Sequence, residues 1–294
     1  MQSIGIAGIG LMGTALAKRL IEAGYAVAGY DPEPDKRARL AQLGGTAAPT
    51  AAALAGQCDT IFVAVFDTDQ VVDVVEGGDG LLAARNPSQP RLTLICVSTC
   101  DPDRIASLAA RIESPRVGFL EMPVSGTSGQ VAKGDGVGLV AGSREIAEAV
   151  APVLDAVCPR RHFLGAVGNG GRAKLAVNLV LGLNRGALAE GLVFAASMGL
   201  APTAFLEVLR NSAAYSQVMD IKGQMMARRE FEKPSSRVDQ SAKDFALILD
   251  HARVLGQELP FANVYAELLR GCMDAGEAQW DNAAILAEIA RRRV

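Results

Sequence analysis

Histidine, aromatic residues and paired cysteines are scarce in this chain. Of its 294 residues only His162 and His251 are histidines, and the cysteines Cys58, Cys96, Cys100, Cys158 and Cys272 form no C-x-x-C pair. A metal site needs clustered nitrogen, sulfur or carboxylate ligands, so no metal is expected. Scattered thiols fit a reducing, cytoplasmic setting better than a disulfide framework. Cationic excess is missing too: 29 Lys and Arg stand against 32 Asp and Glu, a formal net charge of -3. No basic patch is interleaved with aromatics, so nucleic acid has no support as a partner. Positive charge does not precede the apolar N-terminal run; Lys18 and Arg19 follow Ala15-Leu16-Ala17, the reverse of a secretory signal. The uncharged run 191–206 is interrupted by Gly199, Pro202 and Thr203, which argues against a membrane span. No internal repeat or low-complexity tract is visible.

What is present is ordinary for a globular protein: 50% apolar and 21% charged residues, in a chain long enough for two domains with separate cores. The two halves carry different patterns. Residues 3–7 form a short apolar run, followed at once by Gly8-Ile9-Gly10-Leu11-Met12-Gly13 and a helical pattern ending at Gly24. Strand, glycine turn and helix in that order suit a dinucleotide: one glycine allows the turn, one lets a pyrophosphate approach the backbone, and one lets helix and strand pack closely. The same spacing also occurs in tight turns with no ligand. A second strand over 26–30 ends in Asp31, placed to accept hydrogen bonds from an adenosine ribose. That carboxylate favours NAD over NADP, while Lys36 and Arg37 keep NADP open.

Strand-like runs at 60–65, 92–97 and 117–121, separated by helical or loop segments, predict a mostly parallel sheet with helices on both faces. Ligands bind beyond the carboxyl ends of such strands. That selects Val65, Phe66 and Gln70, then Ser98-Thr99, then the segment Pro123-Val124-Ser125-Gly126-Thr127. The run Ser98 to Pro102 fits a helix N-cap equally well. Gly134, Gly136, Gly138 and Gly142 suggest a hairpin or bulge that closes the sheet.

Residues 168–199 predict one long, largely buried helix joining two domains, with Gly199 as a left-handed C-cap. Lys174, Asn178, Leu181 and Arg185 fall on one side of it. Either these polar groups are a wet edge whose stems reach water, or Lys174 lies in a cleft as a proton-transfer lysine. Beyond Gly199 the pattern is helical throughout, over 202–210, 216–229, 237–255, 260–275 and 282–293. Lys243-Asp244 in the third of these helices reads as a solvated charge pair, and Arg291-Arg292-Arg293 as a cation cluster at a helix end. The resulting division is a dinucleotide-binding α/β domain of Rossmann type over 1–166 and an all-α domain over 167–294 that begins with the joining helix.

Taken together, GIGLMG, VSTCDP, EMPVSGTSG, GNGGRAKLAVN and AKD, in this order and spacing, resemble the β-hydroxyacid dehydrogenase family, which includes 3-hydroxyisobutyrate dehydrogenase and tartronate semialdehyde reductase. The resemblance spans almost the whole chain. It implies reversible hydride transfer between NAD(P) and a small 3-hydroxy acid, with Lys174 as catalytic acid/base and Asn178 touching the substrate. It further implies that Ser125 and Gly126 hold the substrate carboxylate beside Thr127. Thr99 and Lys243 would lie near the nicotinamide, with Val65, Phe66 and Gln70 along the cofactor path, and a homodimer or homotetramer is expected. Several positions depart from the family pattern. Glu121-Met122 replaces the common Asp-Ala, Thr127 a glycine, Val177 an asparagine, and Val65-Phe66 a Leu-Pro. These departures leave the particular acid open. Two other readings are an imine reductase of similar architecture and a catalytically silent dinucleotide-binding scaffold; relatives of either kind usually lack the lysine.

Overall fold

The structure is a computed structural model that describes residues 3–83 and 88–292. The chain divides into two compact units, Met1–Lys174 and Leu175–Val294, and the division falls inside the long helix. In the first unit the elements run β1 (Ser3–Ala7), α1 (Leu11–Glu22), β2 (Ala26–Tyr30), α2 (Pro34–Gln42), β3 (Thr46–Ala47), α3 (Ala51–Gln57), β4 (Thr60–Val63) and α4 (Thr68–Glu76). They continue as β5 (Leu92–Cys96), α5 (Pro102–Ile112), β6 (Val117–Glu121), β7 (Val124–Ser125), α6 (Ser128–Val131), β8 (Val137–Gly142), α7 (Arg144–Ala149), α8 (Ala151–Val157) and β9 (Arg160–Phe163).

The sheet order is β3-β2-β1-β4-β5-β6-β8-β7, with β9 paired to β8. From β3 to β6 every pairing is parallel; β8 is antiparallel to β6 and β7. Side chains alternate between faces along a strand, and the two cores follow that alternation. Ile4, Ile6, Phe62, Ile95 and Leu120 join Leu16 and Leu20 of α1 in one cluster. Ile61, Val63, Leu94, Cys96 and Phe119 join Val71 and Leu108 in the other. The expected mostly parallel sheet with helices is present, and the glycine-rich 134–142 region supplies its antiparallel strand. The two-residue strands β3 and β7 are too short to show periodicity. The largely polar β9, Arg-Arg-His-Phe, carries no alternation to read.

Helix α9 runs Asn169–Ser197 and ends in a Schellman motif: Gly199 has φ 84°, its N–H meets the Ala196 carbonyl, and the Leu200 N–H meets that of Ala195. The second unit continues as α10 (Pro202–Arg210), α11 (Gln217–Arg228), α12 (Val238–Val254), α13 (Pro260–Asp274), a 3-10 turn (Asn282–Ala284) and α14 (Ile285–Arg291). Leu188, Leu192, Leu206, Phe245, Tyr265, Leu269 and Ile285 form its core. Length and mean hydropathy of 1.4 would let α9 cross a membrane. Its Leu188 and Leu192 are nevertheless 2% and 1% exposed inside that core, which makes it a core helix. The expectation that α9 is largely buried is corrected: Val180, Phe194 and Met198 are exposed, because apolar side chains stand on more faces of the helix than the core contacts cover. The arginines near the C-terminus are more than a cation cluster. Arg291 pairs with Glu277 and Glu288, and Arg292 with Glu288, satisfying two buried carboxylates. Arg293 lies outside the described residues.

Candidate active site

The glycine turn after β1 is shaped by three different constraints. Gly8 has φ 94°, and a Cβ there would meet the Ala64 carbonyl oxygen at 2.5 Å. A Cβ on Gly13 would approach the Gly8 carbonyl oxygen to 1.9 Å, so this glycine lets α1 close onto β1. Gly10 is the N-cap of α1, receives no side-chain cap, and would meet nothing with a Cβ. The first amides of α1 at Leu11 and Met12 therefore lack a protein side-chain cap, at the end of the helix where its dipole favours an anion. These residues fit a dinucleotide diphosphate. Asp31 is 4% exposed and serves the same turn: Oδ2 accepts from the Ile9 N–H at 2.8 Å and Oδ1 from the Glu33 N–H at 3.0 Å. Lys36 Nζ lies 3.6 Å from Oδ1, and the Arg37 guanidinium donates to the Asp31 and Pro32 carbonyls. A carboxylate expected to face only a ribose thus also ties the glycine turn to the end of β2.

Beyond β4 and β5 the loops are cross-braced. Gln70 Oε1 accepts from the Phe66 N–H at 3.0 Å, and Ser98 Oγ donates to the Val65 carbonyl at 2.7 Å. The helix-cap reading of residues 98–102 is met by Asp101, whose carboxylate accepts from Asp103 and Arg104 at the start of α5. Thr99 is half-buried between Ser98 and this cap. The glycine turn, Asp31, Val65-Phe66 and Thr99 follow the carboxyl ends of β1, β2, β4 and β5, where open α/β sheets bind ligands, and Ser125-Gly126-Thr127 lie at the end of β7.

Lys174 is 8% exposed, and its Nζ donates to the Val124 carbonyl at 2.8 Å, one residue before Ser125. Gly126, at φ 144°, turns the chain into α6. Thr127 caps that helix: its Oγ1 accepts from the Gln130 N–H, and Gln130 Oε1 accepts from the Thr127 N–H. The hydroxyl expected beside the substrate has this local structural use, as threonine before a helix commonly does.

Glu121, at the end of a buried strand, stands in the sequence only as a departure from the family motif. It is 3% exposed and its carboxylate enters the N-terminus of α9, accepting from the Gly168 and Gly171 amides. Burial pushes its carboxyl above the usual range, against the pull of the Gly168, Gly171 and Gly170 amides and of Arg172. Glycine in a helix costs about 1 kcal/mol relative to alanine, so two at the start of α9 call for a reason. A Cβ on Gly170 would stand 3.1 Å from Glu121 Cβ, and one on Gly171 3.1 Å from Oε1. Gly171 makes room for the carboxylate, whereas Gly170 lies closest to the Leu139 carbonyl oxygen, which a Cβ would meet at 2.8 Å. A glutamate closing an otherwise apolar strand was the signal available in the sequence, since a buried carboxylate demands donors.

In the helical unit Asn178 Nδ2 donates to Asp244 Oδ2 at 2.7 Å, and Lys243 Nζ lies 3.1 Å from Asp244 Oδ1. Lys243 and Asp244 are only 19% and 16% exposed at the side chain, which corrects the reading of a solvated pair. Asp244 was missed because adjacent opposite charges on a helix usually face water. Arg185 donates to the hydroxyl of Tyr265, itself 2% exposed. With Lys174 buried as well, the wet-edge reading of this stripe is overturned.

A family model described as the NAD binding domain of 6-phosphogluconate dehydrogenase matches residues 3–165. A second, described as NAD-binding of NADP-dependent 3-hydroxyisobutyrate dehydrogenase, matches residues 168–289. The chain is 29% identical to 2-hydroxy-3-oxopropionate reductase of Escherichia coli over 96% of this chain and 95% of that protein. It is also 29% identical to glyoxylate/succinic semialdehyde reductase 2 of Arabidopsis thaliana, over 97% of this chain and 78% of that one. A solved structure of 3-hydroxyisobutyrate dehydrogenase from Salmonella typhimurium superposes with TM-score 0.88 at 27% identity, covering 98% of this chain and 99% of that one.

Proposed function

Because this chain belongs to the β-hydroxyacid dehydrogenase family, we propose that it interconverts a small 3-hydroxy acid and the corresponding semialdehyde or keto acid, with Lys174 as general acid/base. The protein is an NAD(P)-dependent oxidoreductase acting on a CH–OH group. The observation that carries the assignment of Lys174 is its burial with Nζ fixed on the Val124 carbonyl, one residue before Ser125. Bound NAD(P) accepts or supplies the hydride. In oxidation a neutral Lys174 takes the hydroxyl proton; in reduction its ammonium returns a proton to the carbonyl oxygen. Ser125 and Gly126 bind the substrate carboxylate, next to the wall formed by Thr127. Asn178, its amide oriented by Asp244, contacts the substrate, and Thr99 and Lys243 serve the nicotinamide end. The Gly8 to Gly13 turn and Asp31 hold the diphosphate and adenosine ribose, with Val65, Phe66 and Gln70 along the cofactor.

We assign the chain to a homodimer or homotetramer, supported by the exposed apolar side chains Val254, Leu255, Phe261 and Val264 at the junction of α12 and α13. Five buried, unpaired cysteines support a reducing cytoplasmic setting.

The test follows reduced-nicotinamide absorbance with NAD or NADP and a panel of small 3-hydroxy acids. Lys174→Ala is expected to lower turnover on one of them by ~10²-fold or more, with cofactor affinity retained in a fluorescence titration. Near-normal turnover in that variant would remove Lys174 from the chemistry.

A further inference from the structure

We propose that Glu121 is a positioning residue for this reaction: its carboxylate, seated in the N-terminus of α9, sets the depth at which that helix presents Lys174 beside Ser125 and Gly126. The proposal rests on the reading of Lys174 as the acid/base, and deepens it.

The geometry is a closed frame within the first unit. At one corner Glu121 accepts from the Gly168 and Gly171 amides, and at the other Lys174 Nζ donates to the Val124 carbonyl. One side of the frame is the segment 121–124 that joins β6 to β7, and the other is the single helical turn 171–174. The carboxylate holds the backbone turn from which the Lys174 side chain extends to the Val124 carbonyl. The cap is not supplied locally. Asn169 Nδ2 donates to the Leu164 carbonyl and its Oδ1 accepts from Arg172, so the first residue of α9 directs its side chain elsewhere. The amides are met by a residue 47 and 50 positions earlier in the chain. That long-range cap locks α9 to the segment that leads into Ser125. A Cβ at Gly171 would stand 3.1 Å from Glu121 Oε1 and 3.2 Å from Pro102 Cγ, so the turn and the carboxylate are in close contact.

Two substitutions separate reach from charge. Glu121→Asp keeps the charge and withdraws the carboxylate by one C–C bond, about 1.5 Å. Glu121→Gln keeps the reach and offers an N–H to amides that need an acceptor. A displacement of about 1 Å at a catalytic group costs ~10²-fold. Glu121→Asp is therefore expected to lose kcat by about that factor, and Glu121→Gln, which sets a donor against one of the two amide donors and so pushes the turn away, by a comparable factor, both counted per NAD(P)H-binding site, while KM for the acid and cofactor affinity stay within about twofold. A merely structural role would lower the number of binding-competent sites and leave kcat per site unchanged; that result overturns the proposal, as does a parallel loss of affinity and turnover. Gly171→Ala supplies a test with the carboxylate intact, because the new Cβ would stand 3.1 Å from Oε1, and Pro102→Ala, which removes its other close neighbours at 3.2 and 3.3 Å, controls for that contact. The kcat of Gly171→Ala is expected to fall about tenfold, and combining it with Glu121→Asp should give less than the product of the two losses. No loss in Gly171→Ala, or losses that multiply independently, would also overturn the proposal. Near-normal turnover in Lys174→Ala would instead sink the acid/base reading, whereas an inactive Lys174→Ala beside a fully active Glu121→Asp would sink the positioning role alone.

Discussion

Asp31 serves the fold, and in the proposed function the cofactor ribose as well. Its two oxygens accept the Ile9 and Glu33 amides, and Lys36 and Arg37 stand within the same turn. A buried carboxylate bound this way favours a ribose that donates hydrogen bonds and disfavours a phosphate. Asp31→Ala should weaken NAD binding by about tenfold, as expected for losing a hydrogen bond to a charged group, and leave Lys36 and Arg37 to attract a 2'-phosphate. The ratio of NAD to NADP dissociation constants from fluorescence titration checks this; an unchanged ratio would leave Asp31 with a purely structural role. The acidic residue and its position were legible from the turn signature. Its bond to Ile9 was not, because the partner lies 22 residues away and exists only once β1 and β2 pair.

At the scale of elements, α9 is held by close approach as much as by apolar area. A Cβ on Gly182 would stand 2.4 Å from Phe245 Cζ and 3.1 Å from Tyr265 Cε1, and those two rings already pack at 4.5 Å. Gly182→Ala should therefore destabilise the helical unit by about 1–3 kcal/mol, the usual cost of overpacking, visible as a lower melting temperature. The link between α11 and the 3-10 turn is electrostatic. Lys222, 3% exposed, bonds both oxygens of the fully buried Asp281, which also accepts from the Ser235 and Ala283 amides. Burial alone would raise the Asp281 carboxyl, but the Lys222 ammonium and these amides outweigh it and hold it below the usual range. A depressed carboxyl stabilises the fold above the unfolded value of about 3.9 and loses that contribution as pH falls through the folded one. Asp281→Asn should cost about 3–5 kcal/mol at neutral pH, as for a broken buried pair. Melts from pH 7 down to 3 should show less acid-linked loss in the variant than in the parent.

At the scale of the whole molecule, the helical unit leaves Val254 81%, Leu255 73% and Phe261 76% exposed, a concentration of apolar surface that a monomer seldom leaves in water. If this corner joins copies of the chain, Phe261→Glu should reduce the oligomer to smaller species in light scattering, with the far-ultraviolet circular dichroism of the parent. An unchanged mass would move the interface elsewhere, for example to Phe194 and Met198 of α9.

The sequence by itself determined what depends on neighbours along the chain. The strand, glycine turn and helix at 3–22, the long helix with its Gly199 cap and the succession of helices after it follow from local periodicity, φ requirements and spacing, and the motifs carry the family resemblance. Only the tertiary structure decided which polar groups meet. Glu121 reaches α9, Asp244 takes Asn178, Tyr265 takes Arg185, and Thr127 turns its hydroxyl into its own helix cap. Three of these four contacts join residues 47 to 80 positions apart. Desolvation makes a partner obligatory for each buried polar group, but which partner is available depends on how the strands and helices come together.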